Sequence, residues 1–194
     1  MSFDYKSAHS LEGKKVIVTG AGGNLGAEIC RGLTAMGASV LATDVAVEKG
    51  QAIVEELTAA GATAHFQEHD VTDEAQWEAA VATAIQKLGG LNGVVNNAAI
   101  VPMNYLAELE VEEYNRVLNV NVTGSMLGCK HGFRAMQPGG PAGKGGSIIN
   151  MSSVMGLAGT IALASYNSSK GAVRLLTKSV AAECAMLKTG IRCN

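Results

Sequence analysis

VIVTGAGGNLGAEICRGLTAMGASVLATD, from Val16 to Asp44, is the stretch from which the architecture can be read. Val16 to Thr19 is a short apolar run of the kind that forms a buried strand. It breaks into the loop Gly20-Ala21-Gly22-Gly23-Asn24-Leu25-Gly26, after which Ala27 to Met36 is helical and Gly37 supplies a stop. Ser39 to Thr43 is apolar again and closes on Asp44. A strand, a helix and a second strand with no hairpin signal between them require parallel pairing through a right-handed crossover.

The alternation continues outward from that unit. Val47 to Ala60 reads as a helix stopped by Gly61, and Thr63 to His69 as a third strand running into Asp70-Val71-Thr72-Asp73. A helix over Glu74 to Leu88 is followed by a strand over Leu91 to Val95 and the polar pair Asn96-Asn97. Val111 to Met136 is one long helical stretch, and Pro138-Gly139-Gly140-Pro141 is a loop before a fifth strand around Ile148 and Ile149. The helix Ser165 to Leu187 comes last. The expected fold is α/β, a doubly wound, Rossmann-like parallel sheet in a single domain spanning 1–194, with residues 1–10 expected to be flexible.

Composition narrows the function. The 194 residues are 47% hydrophobic but only 4% aromatic, with 24 glycines, which suits a tightly packed α/β core. A net charge of −2 gives no electrostatic support to a nucleic-acid or anionic-membrane partner. No apolar run is long enough to span a bilayer, and the N-terminus has no signal-peptide core. Cys30, Cys129, Cys184 and Cys193 have no metal-ligand spacing, so no metal site is expected and a reducing cytoplasm is the expected compartment.

Two groups of residues carry chemistry. The glycine loop follows a strand and opens a helix, so its backbone can approach a pyrophosphate at a helix N-terminus. Asp44 ends the second strand about 20 residues on, where a carboxylate accepts the ribose hydroxyls of an adenosine and repels a 2′-phosphate. No Lys or Arg occurs between Gly20 and Glu28 or directly after Asp44, which favours NAD over NADP. The second group lies in SIINMSSVMGLAGTIALASYNSSK, Ser147 to Lys170. Tyr166 and Lys170 are one helical turn apart, and Ser153 lies near the C-terminal end of the fifth strand, where open α/β sheets place ligands. An ammonium about 5 Å from a phenol favours the phenolate by about 3 kcal/mol at an effective dielectric of about 20. That favours acid–base work near neutral pH.

Thr19-Gly20…Gly26, Asp70-Val71, Asn96-Asn97-Ala98-Ala99, Asn121, Ser153 and Tyr166-x-x-x-Lys170 occur in this order. The set resembles the short-chain dehydrogenase/reductase family over nearly the whole chain from Leu11. The resemblance implies that Tyr166 is the general acid/base on the substrate oxygen and that Lys170 lowers its pKa and holds the nicotinamide ribose. It implies further that Ser153 polarises the substrate oxygen and that Asn121, rather than Asn119, holds a helix kink and a relay water. Gly20, Gly22, Asn24, Leu25 and Gly26 would form the cofactor loop, with Asp44 on the ribose, Asp70 and Val71 flanking the adenine, and Asn97 on the adenosine-ribose side. Asn96 and Thr19 would only tie neighbouring strands together. Asn24 replaces the family's middle glycine, and Ala99 replaces the glycine that usually ends Asn-Asn-Ala-Gly.

Family members usually run to about 250 residues in one such domain. This chain stops at Ile191 to Asn194, where a sixth strand would be forming, so the fold is expected to break off after the helix that follows the fifth strand. The motifs look most like members that oxidise secondary alcohols, cyclic alcohols or hydroxysteroids. Ile100, Val101, Met155 and Leu157 would face an uncharged, apolar alcohol or ketone. The resemblance also implies a homodimer or homotetramer through the helices Val111 to Met136 and Ser165 to Leu187. Two rival expectations are a 3-oxoacyl-carrier-protein reductase, which would favour NADPH and a basic docking patch, and a non-catalytic dinucleotide-binding or scaffold protein.

Overall fold

A computed structural model describes residues 9–194. Most of the start expected to be flexible, residues 1–10, therefore lies outside the described residues. Six parallel strands form one sheet in the order β3-β2-β1-β4-β5-β6. They are β1 (Lys15–Thr19), β2 (Ser39–Asp44), β3 (Ala64–Glu68), β4 (Gly93–Asn96), β5 (Gly146–Asn150) and β6 (Ile191–Cys193). The order reverses between β1 and β4, and this switch point opens a crevice beyond the carboxyl ends of the strands.

The helices are α1 (Asn24–Ala35), α2 (Val47–Ala59), α3 (Glu74–Leu88), α4 (Val111–Leu118), α5 (Gly124–Met136) and α6 (Ala164–Met186). Successive side chains of a strand point to opposite faces, and each face has its own core. Val16, Val18, Val40 and Ala42 pack with Cys30 of α1 and with Ile53 and Leu57 of α2. Ile17, Leu41, Val94 and Ile148 pack with Trp77, Val81 and Leu88 of α3 and with Leu127 and Met136 of α5. Gly37, Gly61 and Gly89 follow α1, α2 and α3 with φ of 96°, 86° and 75°, a left-handed backbone that favours glycine. Asp73 caps α3, its Oδ1 accepting from the Ala75 and Gln76 amides at 2.9 and 3.3 Å.

Three expectations change in detail. The helix expected from Ala27 starts at Asn24, so the last residues of the glycine loop already form the first helical turn. The long helix expected over Val111 to Met136 is broken by a wider, π-helical turn at Asn119–Thr123. There Asn121 is fully buried, with its side-chain oxygen accepting from the Ile100 amide at 2.9 Å and its Nδ2 donating to the Ile100 carbonyl at 3.0 Å. Both polar ends of Asn121 are thus fixed from outside the helix, which opposes regular winding at this turn. Finally, the sixth strand expected to be only forming is present after α6: Ile191–Cys193 is β6 and pairs parallel to β5.

Candidate active site

A cavity of about 650 Å³ occupies the crevice at the carboxyl ends of the strands. Gly20, Gly22, Asn24, Leu25 and Gly26 are among the residues that line it. Gly20 has φ 65°, and a Cβ there would meet the Ala98 Cα at 2.9 Å, so glycine is needed both for the turn and for the close approach. The Ala21 amide donates to the Thr43 carbonyl at 3.0 Å, which fixes the loop against β2. The start of α1 then presents its free amides to the cavity, the arrangement that binds phosphate.

Asp44 stands at the end of β2 and also lines the cavity. Its Oδ2 accepts from the Gly22 amide and its Oδ1 from the Ala46 amide, both at 2.8 Å. The carboxylate is therefore held rigidly beside the glycine loop. Further along the wall are Asp70 and Val71. Asp70 Oδ1 accepts from the Thr72 amide and hydroxyl at 2.9 and 2.8 Å, and the Val71 carbonyl accepts from buried Trp77 Nε1 at 2.9 Å.

Asn97 lines the cavity, but its Nδ2 is engaged by the Thr19 and Gly20 carbonyls at 2.9 and 3.2 Å. It ties β1 to β4, as Thr19 does through its hydroxyl, which donates to the Val95 carbonyl. Asn96 is buried and donates to Asn150 Oδ1 at 2.7 Å, the strand-tying role expected of it.

Tyr166 and Lys170 also line the cavity, from the first two turns of α6. Lys170 is only 4% exposed, and its Nζ donates to the Met151 carbonyl at 2.6 Å and lies 5.7 Å from the centre of the Tyr166 ring. Burial lowers its pKa from 10.5 to about 8. With one proton on Met151, the ammonium keeps two donors for other acceptors.

Asn121 and Ser153 stand outside the cavity lining. Asn121 Nδ2 donates to Ser169 Oγ at 2.9 Å, and the Ser169 hydroxyl donates to the Tyr166 carbonyl at 2.7 Å. Asn121 thus acts on the site as a strut between the π-helical turn and the start of α6. Ser153 starts the 3-10 turn Val154–Gly156, and its Oγ accepts from the Met155 amide at 3.1 Å. Asn119 is exposed and takes no part in the strut.

Sequence reasoning missed four residues. Ser169 is fully buried between Tyr166 and Lys170. Lys49 and Arg116 line the cavity, from α2 and α4. His69 also lines it, with Nδ1 3.1 Å from the Thr43 hydroxyl, an edge-on contact to Trp77, and no partner for Nε2. A polar residue between Tyr166 and Lys170 was the one available signal for Ser169. Lys49 and Arg116 reach the site only through the packing of their helices.

Among the described residues, Glu74, Glu78 and His131 bring possible ligand atoms within 4.8 Å of one another. Glu74 is already paired with Lys130 and His131 there. No described helix is long and apolar enough to cross a membrane.

The comparisons with known proteins agree with this geometry. A family profile described as short chain dehydrogenase matches residues 14–194. A 3-alpha-(or 20-beta)-hydroxysteroid dehydrogenase of Mycobacterium tuberculosis is 42% identical over 184 residues, which are 95% of this chain and 67% of that protein. An NADP-dependent (R)-specific alcohol dehydrogenase of Lentilactobacillus kefiri is 35% identical over 95% of this chain and 71% of its own. The crystal structure of a short-chain type dehydrogenase/reductase from Mycobacterium marinum superposes with a TM-score of 0.92 at 30% identity, covering 99% of this chain and 76% of that one. A parallel sheet with its order reversed at the crevice, a glycine loop facing that crevice and a buried lysine one turn beyond a tyrosine coincide with a family match over almost the whole length: the chain belongs to the short-chain dehydrogenase family, whose enzymes are oxidoreductases that use a nicotinamide dinucleotide.

Proposed function

We propose that the protein transfers hydride between NAD and a secondary alcohol or ketone, with Tyr166 as the general acid/base. The observation that carries this reading is the placement of Lys170, buried and held to the Met151 carbonyl beside the Tyr166 ring, in the same cavity as the glycine loop. One cavity of about 650 Å³ is lined by both the glycine loop and Tyr166, which supports a dinucleotide reaching from one to the other. When bound, the nicotinamide accepts or supplies the hydride at the carbon that bears the oxygen. In the oxidative direction Tyr166 takes the hydroxyl proton, and the Lys170 ammonium stabilises the negative charge on the Tyr166 oxygen. In this reading the hydroxyl of half-buried Ser153, at the start of the 3-10 turn Val154–Gly156, donates to the substrate oxygen. Asn121 contributes by holding α6 in place through Ser169.

An apolar, cyclic substrate of the hydroxysteroid kind suits the mouth of the site. Val101, Met103, Tyr105 and Leu106 after β4, and Val154, Leu157 and Ile161 after β5, are all more than half exposed. The two loops are joined by the bridge between Asn104 and Leu163. Ile100 and Met155 are half-buried among them. The name of the hydroxysteroid dehydrogenase relative supports the same substrate class. Asp44 supports NAD, because a fixed carboxylate beside the ribose repels a 2′-phosphate. The exposed apolar residues Val111, Met126, Leu175, Met186 and Leu187 on and after α4, α5 and α6 suit a pairing surface between copies.

The test is a fluorescence titration with NADH beside NADPH, followed by a panel of cyclic secondary alcohols with NAD. Tighter binding of NADH and turnover of the alcohols are expected. Tighter binding of NADPH would overturn the NAD assignment and favour the acyl-carrier-protein reductase reading. Binding without turnover of any alcohol or ketone would favour a non-catalytic dinucleotide-binding protein.

A further inference from the structure

Lys170 is fastened twice to the short segment that follows β5. Its Nζ donates to the Met151 carbonyl at 2.6 Å, and its main-chain carbonyl accepts from the Ser152 hydroxyl at 2.9 Å. That carbonyl lies inside α6, where a regular helix already supplies it with the amide one turn on; its second acceptor site takes the hydroxyl. The segment is itself anchored, because the Met151 amide donates to the Asn96 carbonyl of β4 at 3.0 Å. Gly156, at the end of the 3-10 turn, meets the same point: a Cβ there would lie 2.7 Å from the Lys170 carbonyl oxygen and 3.0 Å from Ser152 Oγ. Glycine is what lets the turn come this close. Ser153 lies between Ser152 and Gly156 in the chain, so its turn is held against the Lys170 carbonyl on both sides of it.

We propose that Ser152 is a positioning residue, whose hydroxyl ties the end of β5 to α6 and so sets Ser153 at its working distance from Tyr166. This rests on the reading of Ser153 and Tyr166 as the pair that handles the substrate oxygen. Tyr166 and Lys170 share α6, so their own spacing does not depend on Ser152. The Ser153 hydroxyl comes from a separate segment, and its alignment with Tyr166 depends on how that segment is tied to the helix. Ser152 is half-buried and lines the cavity, so removal of its hydroxyl opens no void in the core, and its variants report on alignment.

Steady-state oxidation of a cyclic secondary alcohol with NAD by the wild-type chain, Ser152→Ala, Ser152→Thr, Ser153→Ala and the double variant Ser152→Ala/Ser153→Ala tests the proposal, with NADH affinity titrated by fluorescence for each. Ser152→Ala should lower kcat about tenfold and leave the KM for NAD and the NADH affinity within about twofold. Ser152→Thr keeps the hydroxyl and should stay within about threefold of the wild-type kcat. In the Ser153→Ala background the Ser152 hydroxyl has nothing left to align, so adding Ser152→Ala should cost less than about twofold. Losses that multiply in the double variant, an unchanged kcat in Ser152→Ala, a kcat for Ser152→Thr as low as that for Ser152→Ala, or equal falls in kcat and NADH affinity would overturn the positioning role while leaving the proposed reaction intact. An unchanged kcat in Ser153→Ala, or no turnover by the wild type, would overturn the reading of the reaction and this proposal together.

Discussion

At the scale of single residues, two buried basic groups contribute to how stability responds to pH. Lys170 has its pKa lowered from 10.5 to about 8 by burial, so between those values the unfolded chain holds a proton that the folded chain has released. Its contribution to stability is complete above pH 10.5 and is lost as pH falls through about 8. At neutral pH the buried ammonium therefore costs about 3 kcal/mol, offset by about 1 kcal/mol from its bond to Met151. Lys170→Met is predicted to be about 2 kcal/mol more stable than wild type at pH 7 by urea denaturation, with turnover lost. Equal or lower stability would show that the charge is better accommodated than its burial implies.

His69 behaves in the same sense at lower pH. It is 1% exposed and its Nε2 has no partner, and burial lowers its pKa from 6.5 to about 4 despite the carboxylates of Asp70 and Asp73. Stability from this group is complete above pH 6.5 and is lost as pH falls through about 4, by up to about 3 kcal/mol. His69→Gln should lose less stability than wild type between pH 7 and pH 4.5 in parallel urea titrations; identical losses would assign acid sensitivity to other groups.

At the scale of elements, the alternating strands and helices were legible because each strand is a short apolar run and each early helix ends at a glycine. The π-helical turn was legible only as an implied kink at Asn121, because its cause is non-local. Ile100, 21 positions earlier, supplies the backbone groups that hold the Asn121 side chain. The strut to α6 was likewise hidden, since Ser169 meets Asn121 from 48 positions away. Ser169→Ala removes both the bond from Asn121 and the bond to the Tyr166 carbonyl. The variant is predicted to lose about 1 kcal/mol of stability and severalfold in kcat, with NADH affinity unchanged, because the strut positions Tyr166 rather than touching cofactor. A matching loss of NADH affinity would instead give Ser169 a general structural role.

At the scale of the whole molecule, the sheet order brings together residues that the sequence keeps far apart. Reversal between β1 and β4 opens the crevice, the glycine loop enters it from β1, and α6 enters it from the far side of β5. The residues of the cofactor loop and of Tyr166 and Lys170 could be named from spacing because each is local to one strand end or one helix turn. Lys49 and Arg116 could not, because their place in the cavity depends on how α2 and α4 pack against the sheet. Ser153 and Asn121 carry motif positions but are not among the residues that line the cavity, and their hydrogen bonds shape the 3-10 turn after β5 and hold the π-helical turn to α6.

The central claim is that Tyr166 moves the proton while the dinucleotide is held elsewhere in the cavity. It is tested most directly by comparing Tyr166→Phe with wild type for oxidation of a cyclic secondary alcohol with NAD, followed by the absorbance of NADH, with NADH binding titrated alongside. The predicted result is a loss of at least about 100-fold in kcat with NADH affinity within about threefold of wild type. Turnover by Tyr166→Phe close to that of wild type would contradict the account.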